Sequence, residues 1–205
     1  MPQITDVVKK LLILNVAIYF IATIFLKDTI LLGMQTPFLF DQATGAISFN
    51  KGFQPYTMVT HMFMHSTAGF GHLLMNMFGL FFFGPYVERA IGAKKFVILY
   101  FVAGFVAMIF HFGIDFITQD FSYVVGASGA ISGVLFAFIM MFPDVKVMLL
   151  IPPIPMKAKY MALVFFGIDL FRGLSGSNIA VFAHLGGAIA GIVLILLWRK
   201  SNFRF

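Results

Sequence analysis

The chain is 205 residues long, 60% hydrophobic and only 11% charged, with mean hydropathy +0.97 and formal net charge +6. A soluble domain carries about 25% charged residues, so lipid rather than water must solvate most of this surface. The lack of cysteine excludes disulfides, thiolate nucleophiles and cysteine metal sites. The basic residues fall singly and in pairs between apolar spans, a pattern of membrane topology rather than of nucleic-acid binding.

Six apolar stretches approach the roughly 20 residues that a spanning helix needs: about 8–26, 71–87, 96–114, 123–142, 157–174 and 178–198. No small-residue cleavage site follows the first, so it reads as a retained helix. The fifth is the weakest, interrupted by Asp169 and preceded by Pro152, Pro153 and Pro155. The expected fold is all-α: one polytopic membrane domain over 1–205, a six-transmembrane-helix bundle without internal repeats. With a cytoplasmic N-terminus, eleven of the 14 basic residues lie inside, leaving Lys27, Lys51 and Arg172 outside. The positive-inside rule therefore puts both termini in the cytoplasm.

The long outer loop, 27–70, ends in Gln54–His65, where Met58, Val59, Met62 and Phe63 have helical spacing. This predicts an interfacial helix partly sunk in the outer leaflet. The second span opens with His72 and Asn76, which share a helix face at i and i+4. Glu88 and Arg89 read as a structural charge cluster at its inner end. His111 reads as interfacial, and Asp115 and Asp120 as loop residues.

The fourth span opens with Gly126-Ala127-Ser128-Gly129, and Gly129 and Gly133 have the spacing of small-residue helix packing. The sixth carries His184 one turn before Gly187, with Gly191 repeating the spacing. Counting at about 1.5 Å per residue puts Ser128 about 7 Å below Tyr123 and His184 about 9 Å below Asn178. His72, Asn76, Ser128 and His184 thus share the outer part of the membrane, where polar residues are costly and usually placed for a reason. A neutral imidazole can take the proton of a serine hydroxyl. His72, Asn76 and the Ser128 backbone N–H can stabilise the oxyanion that follows. No acid is evidently placed to orient His184, so the chemistry is that of a Ser–His dyad. Taken singly, a serine in a glycine-rich helix is ordinary packing and a buried histidine an ordinary hydrogen-bond donor; the combination at one depth is what points to catalysis. His61 and His65 lack the intervening glutamate of a zinc-protease motif, so His65 reads as structural, and no metal or other cofactor is expected.

These motifs resemble those of the rhomboid intramembrane serine proteases. The family's histidine and asparagine four apart match His72 and Asn76. Its Gly-x-Ser-Gly matches Gly126, Ser128 and Gly129, and its Ala-His-x-x-Gly-x-x-x-Gly matches Ala183, His184, Gly187 and Gly191. Its segment after the second span resembles Glu88, Arg89 and Gly92. The resemblance, over about 61–198, implies a Ser–His dyad, an oxyanion hole from His72 and Asn76, and cleavage of single-pass transmembrane protein substrates near the outer leaflet. The six-span form is similar to bacterial members, which implies a bacterial inner membrane. The position one turn after the serine, often aromatic in the family, is Ser132 here. A catalytically inactive, client-binding relative is the main alternative, although such a protein would not need both Ser128 and His184. A small transporter would show inverted repeats and helices broken near the midplane. The short, proline-preceded fifth span and the following loop, Arg172–Asn178, form the expected gate, with Phe165, Phe166 and Phe171 as its plug.

Overall fold

The computed structural model describes residues 3–26, 33–41, 44, 46–67, 69–118, 123–148, 154–174 and 178–200; the side chains of 162, 166, 169, 170, 172–174 and 178–180 are not described. Helix α1 (Asp6–Ile21) continues into a π-helical stretch, Ala22–Leu26. Its first backbone N–H groups need acceptors from outside the helix. Glu88, buried in the last full turn of α3 (Phe70–Ile91), supplies them, accepting from Val8 N at 3.0 Å, Val7 N at 3.2 Å and the Thr5 hydroxyl. Glu88 is thus the cap of the first helix, with its negative charge at that helix's positive end. The same joint is packed by Val8, whose Cγ2 lies 2.7 Å from where a β-carbon on Gly84 would stand.

Gly92 ends α3 with φ of +82°, a conformation that favours glycine. Helix α4 (Ala93–Thr118) starts at the next residue and, with 26 residues, is about 39 Å long. Among the described residues, four helices are long and apolar enough to cross a membrane: Asp6–Phe25, Phe70–Ile91, Ala93–Thr118 and Val181–Lys200. Helices α5 (Ser128–Met141) and α6 (Ala158–Leu174) are shorter, with 14 and 17 residues. Helix α7 runs from Asn178 to Lys200.

Helix α5 is the centre of the bundle, packed on α3, α4, α6 and α7. Small residues make its approach to α4 and α7 possible. A β-carbon on Gly187 would collide with the Gly129 carbonyl oxygen, and one on Gly191 with the Gly133 carbonyl oxygen. On the α4 side, β-carbons on Gly129 and Gly133 would collide with Ala107 and Ala103. The lack of a side chain at these four positions thus lets α5 come close to α4 and α7, whereas Gly126, also expected as a packing glycine, lies against His72. One hydrophobic cluster draws on every long helix, from Val8 and Leu11 through Leu80, Tyr100, Val134 and Met161 to Ile195.

At the end of the bundle away from the α5 N-terminus lie most of the basic residues. The Lys95 ammonium sits 5.4 Å from the Trp198 ring, Arg199 Nη2 donates to the Met140 carbonyl at 2.7 Å, and Asp144 pairs with Lys157 and Lys159 at 3.1 and 3.0 Å. A two-stranded hairpin that the sequence did not announce, β3 (Lys146–Met148) with β4 (Pro155–Lys157), leads directly into α6. The opposite end carries the long loop. Its predicted helix is short, α2 (Thr57–Thr60) followed by a 3-10 turn, His61–Phe63. A second unannounced hairpin, Phe38–Phe40 with Ile47–Phe49, precedes it; we label these strands β1 and β2 by chain order.

Candidate active site

Helix α5, expected as the fourth span, begins at Ser128 and not at Tyr123, so Ser128 is its first residue and the helical depth count from Tyr123 does not apply. Tertiary pairing replaces helix in 123–127. Met34 and Val124 exchange two backbone hydrogen bonds of 2.9 Å, and the Gly126 N–H donates to the His61 carbonyl at 2.9 Å. The long loop therefore holds the strand that delivers the serine. Gly126 has φ of +122°, and a β-carbon there would stand 2.9 Å from His72 Cε1 and 3.0 Å from Nε2. The Ser128 hydroxyl oxygen is 3.8 Å from the same point. Glycine is required here twice, for its backbone and for the room it leaves His72 beside the serine.

His184 enters from α7. Gly187, one turn after it, meets Gly129, the residue after Ser128, and the Ala183 carbonyl oxygen lies 3.9 Å from the β-carbon position of Gly129. The glycine contact thus brings the turn bearing His184 against the start of α5. The His72 and His184 imidazoles are within electrostatic range of one another. Ser128, His184 and His72 are each half-buried, and Asn76 is buried. The Asn76 amide donates one hydrogen to the His72 carbonyl at 2.9 Å, one turn back, which fixes the group while leaving a second N–H. Ala127, the residue before α5, provides no side-chain cap, and its carbonyl accepts from Ile131 N at 2.9 Å. The N–H groups of Ser128, Gly129 and Ala130 stand at the positive end of the helix, where developing negative charge is stabilised.

His65 packs its ring edge on His72, with centroids 5.3 Å apart, and its Nδ1–H donates to the Phe63 carbonyl at 3.3 Å. Burial pushes this imidazole down to about 4, so it is neutral at pH 7. Ser132 is half-buried one turn below Ser128. Two expectations fail. His111 is buried rather than interfacial, and Asp115 is in the last turns of α4, fully buried, with Oδ2 3.3 Å from His111 Nε2. The helix simply extends further than the apolar run suggested; Asp120 lies outside the described residues. Of the gate residues, Phe165 packs against the core and Phe171 is 72% exposed. The side chains of Phe166 and Asp169, and residues 175–177, lie outside the described residues; the expected Arg172–Asn178 loop is shorter, because α6 runs to Leu174 and α7 starts at Asn178. Among the described residues, no group of three or more His, Asp or Glu side chains could hold a metal.

The Rhomboid domain profile matches residues 52–201. The chain is 31% identical over 152 residues to the putative rhomboid protease YdcA of Bacillus subtilis, covering 73% of this chain and 70% of that one. It is 29% identical to the rhomboid protease AarA of Providencia stuartii over 92% of this chain and 70% of that one. It is 27% identical to RHOMBOID-like protein 12, mitochondrial, of Arabidopsis thaliana over 98% of this chain, and spans 60% of that protein's length. With helices of membrane-crossing length and this match over most of its residues, the chain is an integral membrane protein and belongs to the rhomboid family.

Proposed function

We propose that the protein is an intramembrane serine endopeptidase that cleaves single-pass transmembrane proteins. Ser128 is the nucleophile, His184 its general base, and His72, Asn76 and the Ser128 N–H form the oxyanion hole. The observation that carries this reading is the joining of Gly129 to Gly187, which sets the turn bearing His184 beside Ser128 at an uncapped helix start. In the reaction, His184 takes the Ser128 proton as the hydroxyl oxygen bonds to the scissile carbonyl carbon. The former carbonyl oxygen, now negative, is held by the oxyanion donors. The proton passes to the leaving amine as the C–N bond breaks, and water repeats the cycle on the acyl-enzyme. Relatives named as proteases support the activity. In sealed vesicles containing the protein and a single-pass substrate, we expect two fragments whose masses place the cut near the outer end of the substrate helix, unaffected by chelators. A cut outside the membrane-spanning segment, or loss of cleavage on chelation, contradicts the proposal.

We further propose that 1–205 is one six-span domain in a bacterial inner membrane with both termini cytoplasmic. In this reading α5 and α6 cross as well, although they are short, because α5 is enclosed by protein on most sides. The clustering of basic residues at the end away from Ser128 supports the orientation. Relatives are both bacterial and mitochondrial, so the orientation rests on charge and not on kinship.

Removing Asn76 takes away one oxyanion donor of several. Asn76→Ala should lower kcat by about 10²-fold with little change in KM; a raised KM at unchanged kcat would make Asn76 a substrate-binding residue instead. Substrate entry is proposed beside α6, which rests on α5 and α7 and is joined to α7 by the loop after Leu174. Phe165→Ala should raise cleavage of a transmembrane substrate, and a cross-link between α6 and α3 should lower it; full cleavage by the cross-linked protein would place entry elsewhere.

A further inference from the structure

The buried pair His111–Asp115 has no part in the dyad, yet it lies on the route by which the long loop holds Ser128. Gly104, Met108, His111 and Asp115 form one stripe of α4 at helical spacing, and the last three are 5%, 4% and 0% exposed. Asp115 Oδ2 is 3.3 Å from His111 Nε2, but among the described residues neither carboxylate oxygen has a hydrogen-bond partner of good alignment. An uncompensated buried carboxylate is very costly, and intramembrane ionisable residues are rarely idle. The 3-10 turn of the loop sits on this stripe. Met62 fills the notch at Gly104, where any β-carbon would collide with its thioether.

His61, the residue before Met62, is 3% exposed and lies within electrostatic range of His111. Burial, together with the nearby His111, pushes the His61 imidazole down to about 4. It is therefore neutral, and its proton is on Nδ1, which donates to the Thr57 carbonyl at 2.9 Å. The backbone carbonyl of His61 accepts the Gly126 N–H, two residues before Ser128.

We propose that Asp115 and His111 are positioning residues: the carboxylate fixes the His111 ring, His111 seats His61, and the His61 carbonyl holds Gly126 and thereby the Ser128 loop. The proposal rests on Ser128 being the nucleophile. Loss of the pair lets the turn shift on α4, and a displacement of about 1 Å at a reacting atom can lower turnover by about 10²-fold.

The test uses the full chain in vesicles with a single-pass substrate. Asp115→Asn and His111→Gln should each lower kcat by about 10-fold or more and leave KM within about twofold. The double variant should be no slower than the slower single, because the two act as one unit. Hydrogen exchange at the Gly126 amide should quicken in both singles. Should the singles unfold, the paired replacement His111→Phe with Asp115→Leu removes both polar partners together, a change often neutral for stability; it should fold and remain slow. Multiplicative losses in the double, a folded paired replacement with wild-type kcat, or unchanged Gly126 exchange would each overturn the proposal. Fluorophosphonate labelling separates the two ideas. An unreactive Ser128 in the wild type overturns both, whereas a Ser128 labelled equally fast in wild type and variants overturns only the positioning role.

Discussion

Ser128→Ala and His184→Ala should each reduce cleavage of a transmembrane substrate by about 10³-fold or more while the bundle still folds. The size follows from the mechanism: without the hydroxyl no acyl-enzyme forms, and without the imidazole the hydroxyl keeps its proton at neutral pH. The two losses should not multiply, since nucleophile and base act as one unit, and Ser128→Ala/His184→Ala should be as slow as either alone. Folding should survive because both side chains are half-buried at the edge of the bundle, outside the glycine contacts that join α5 to α7. Cleavage by pure Ser128→Ala at wild-type rates would remove the serine mechanism.

Gly187→Ala and Gly191→Ala should be the most damaging small substitutions for stability. Each places a methyl group against a backbone carbonyl oxygen of α5, which unlike a side chain cannot rotate away. The helices must separate, at a cost near or above the upper end of the about 1–3 kcal/mol typical of overpacking. Activity should fall too, because the same contact brings the turn bearing His184 against the start of α5. Gly113→Ala, on α4, is the control: among the described residues a β-carbon there meets nothing within 4 Å. It should be neutral or stabilising by about 0.5–1 kcal/mol, the usual gain over glycine within a helix. Equal unfolding midpoints for Gly187→Ala and Gly113→Ala in detergent would show that α5 and α7 do not pack this closely.

The features legible in the sequence are those set by local pattern. Apolar length marked α1, α3, α4 and α7, and four-residue glycine spacing marked the faces where α5 and α7 meet. The features that were not legible depend on distant partners. Nothing local ends helix at Val124; its pairing with Met34 and the hold of His61 on Gly126 do so, so the start of α5 could not be read from composition. Strands β1 and β2 have three residues each, below the length at which alternation becomes a signal. Glu88 reads as one more charge at a helix end until α1, some eighty residues earlier, is placed against it. For His111 and Asp115 a signal did exist. An i, i+4 histidine and aspartate beyond a long apolar run mark a helix that continues with a polar pair on one face, and only the assumption that it ended near Ile114 hid them.

The most direct measurement is covalent labelling of the purified protein by a fluorophosphonate, with the adduct located by peptide mass. One adduct is expected, on Ser128, absent from Ser128→Ala and greatly slowed in His184→Ala while Ser132 stays unmodified. An adduct on another residue, or labelling of Ser128 that proceeds at the same rate without His184, would contradict the dyad.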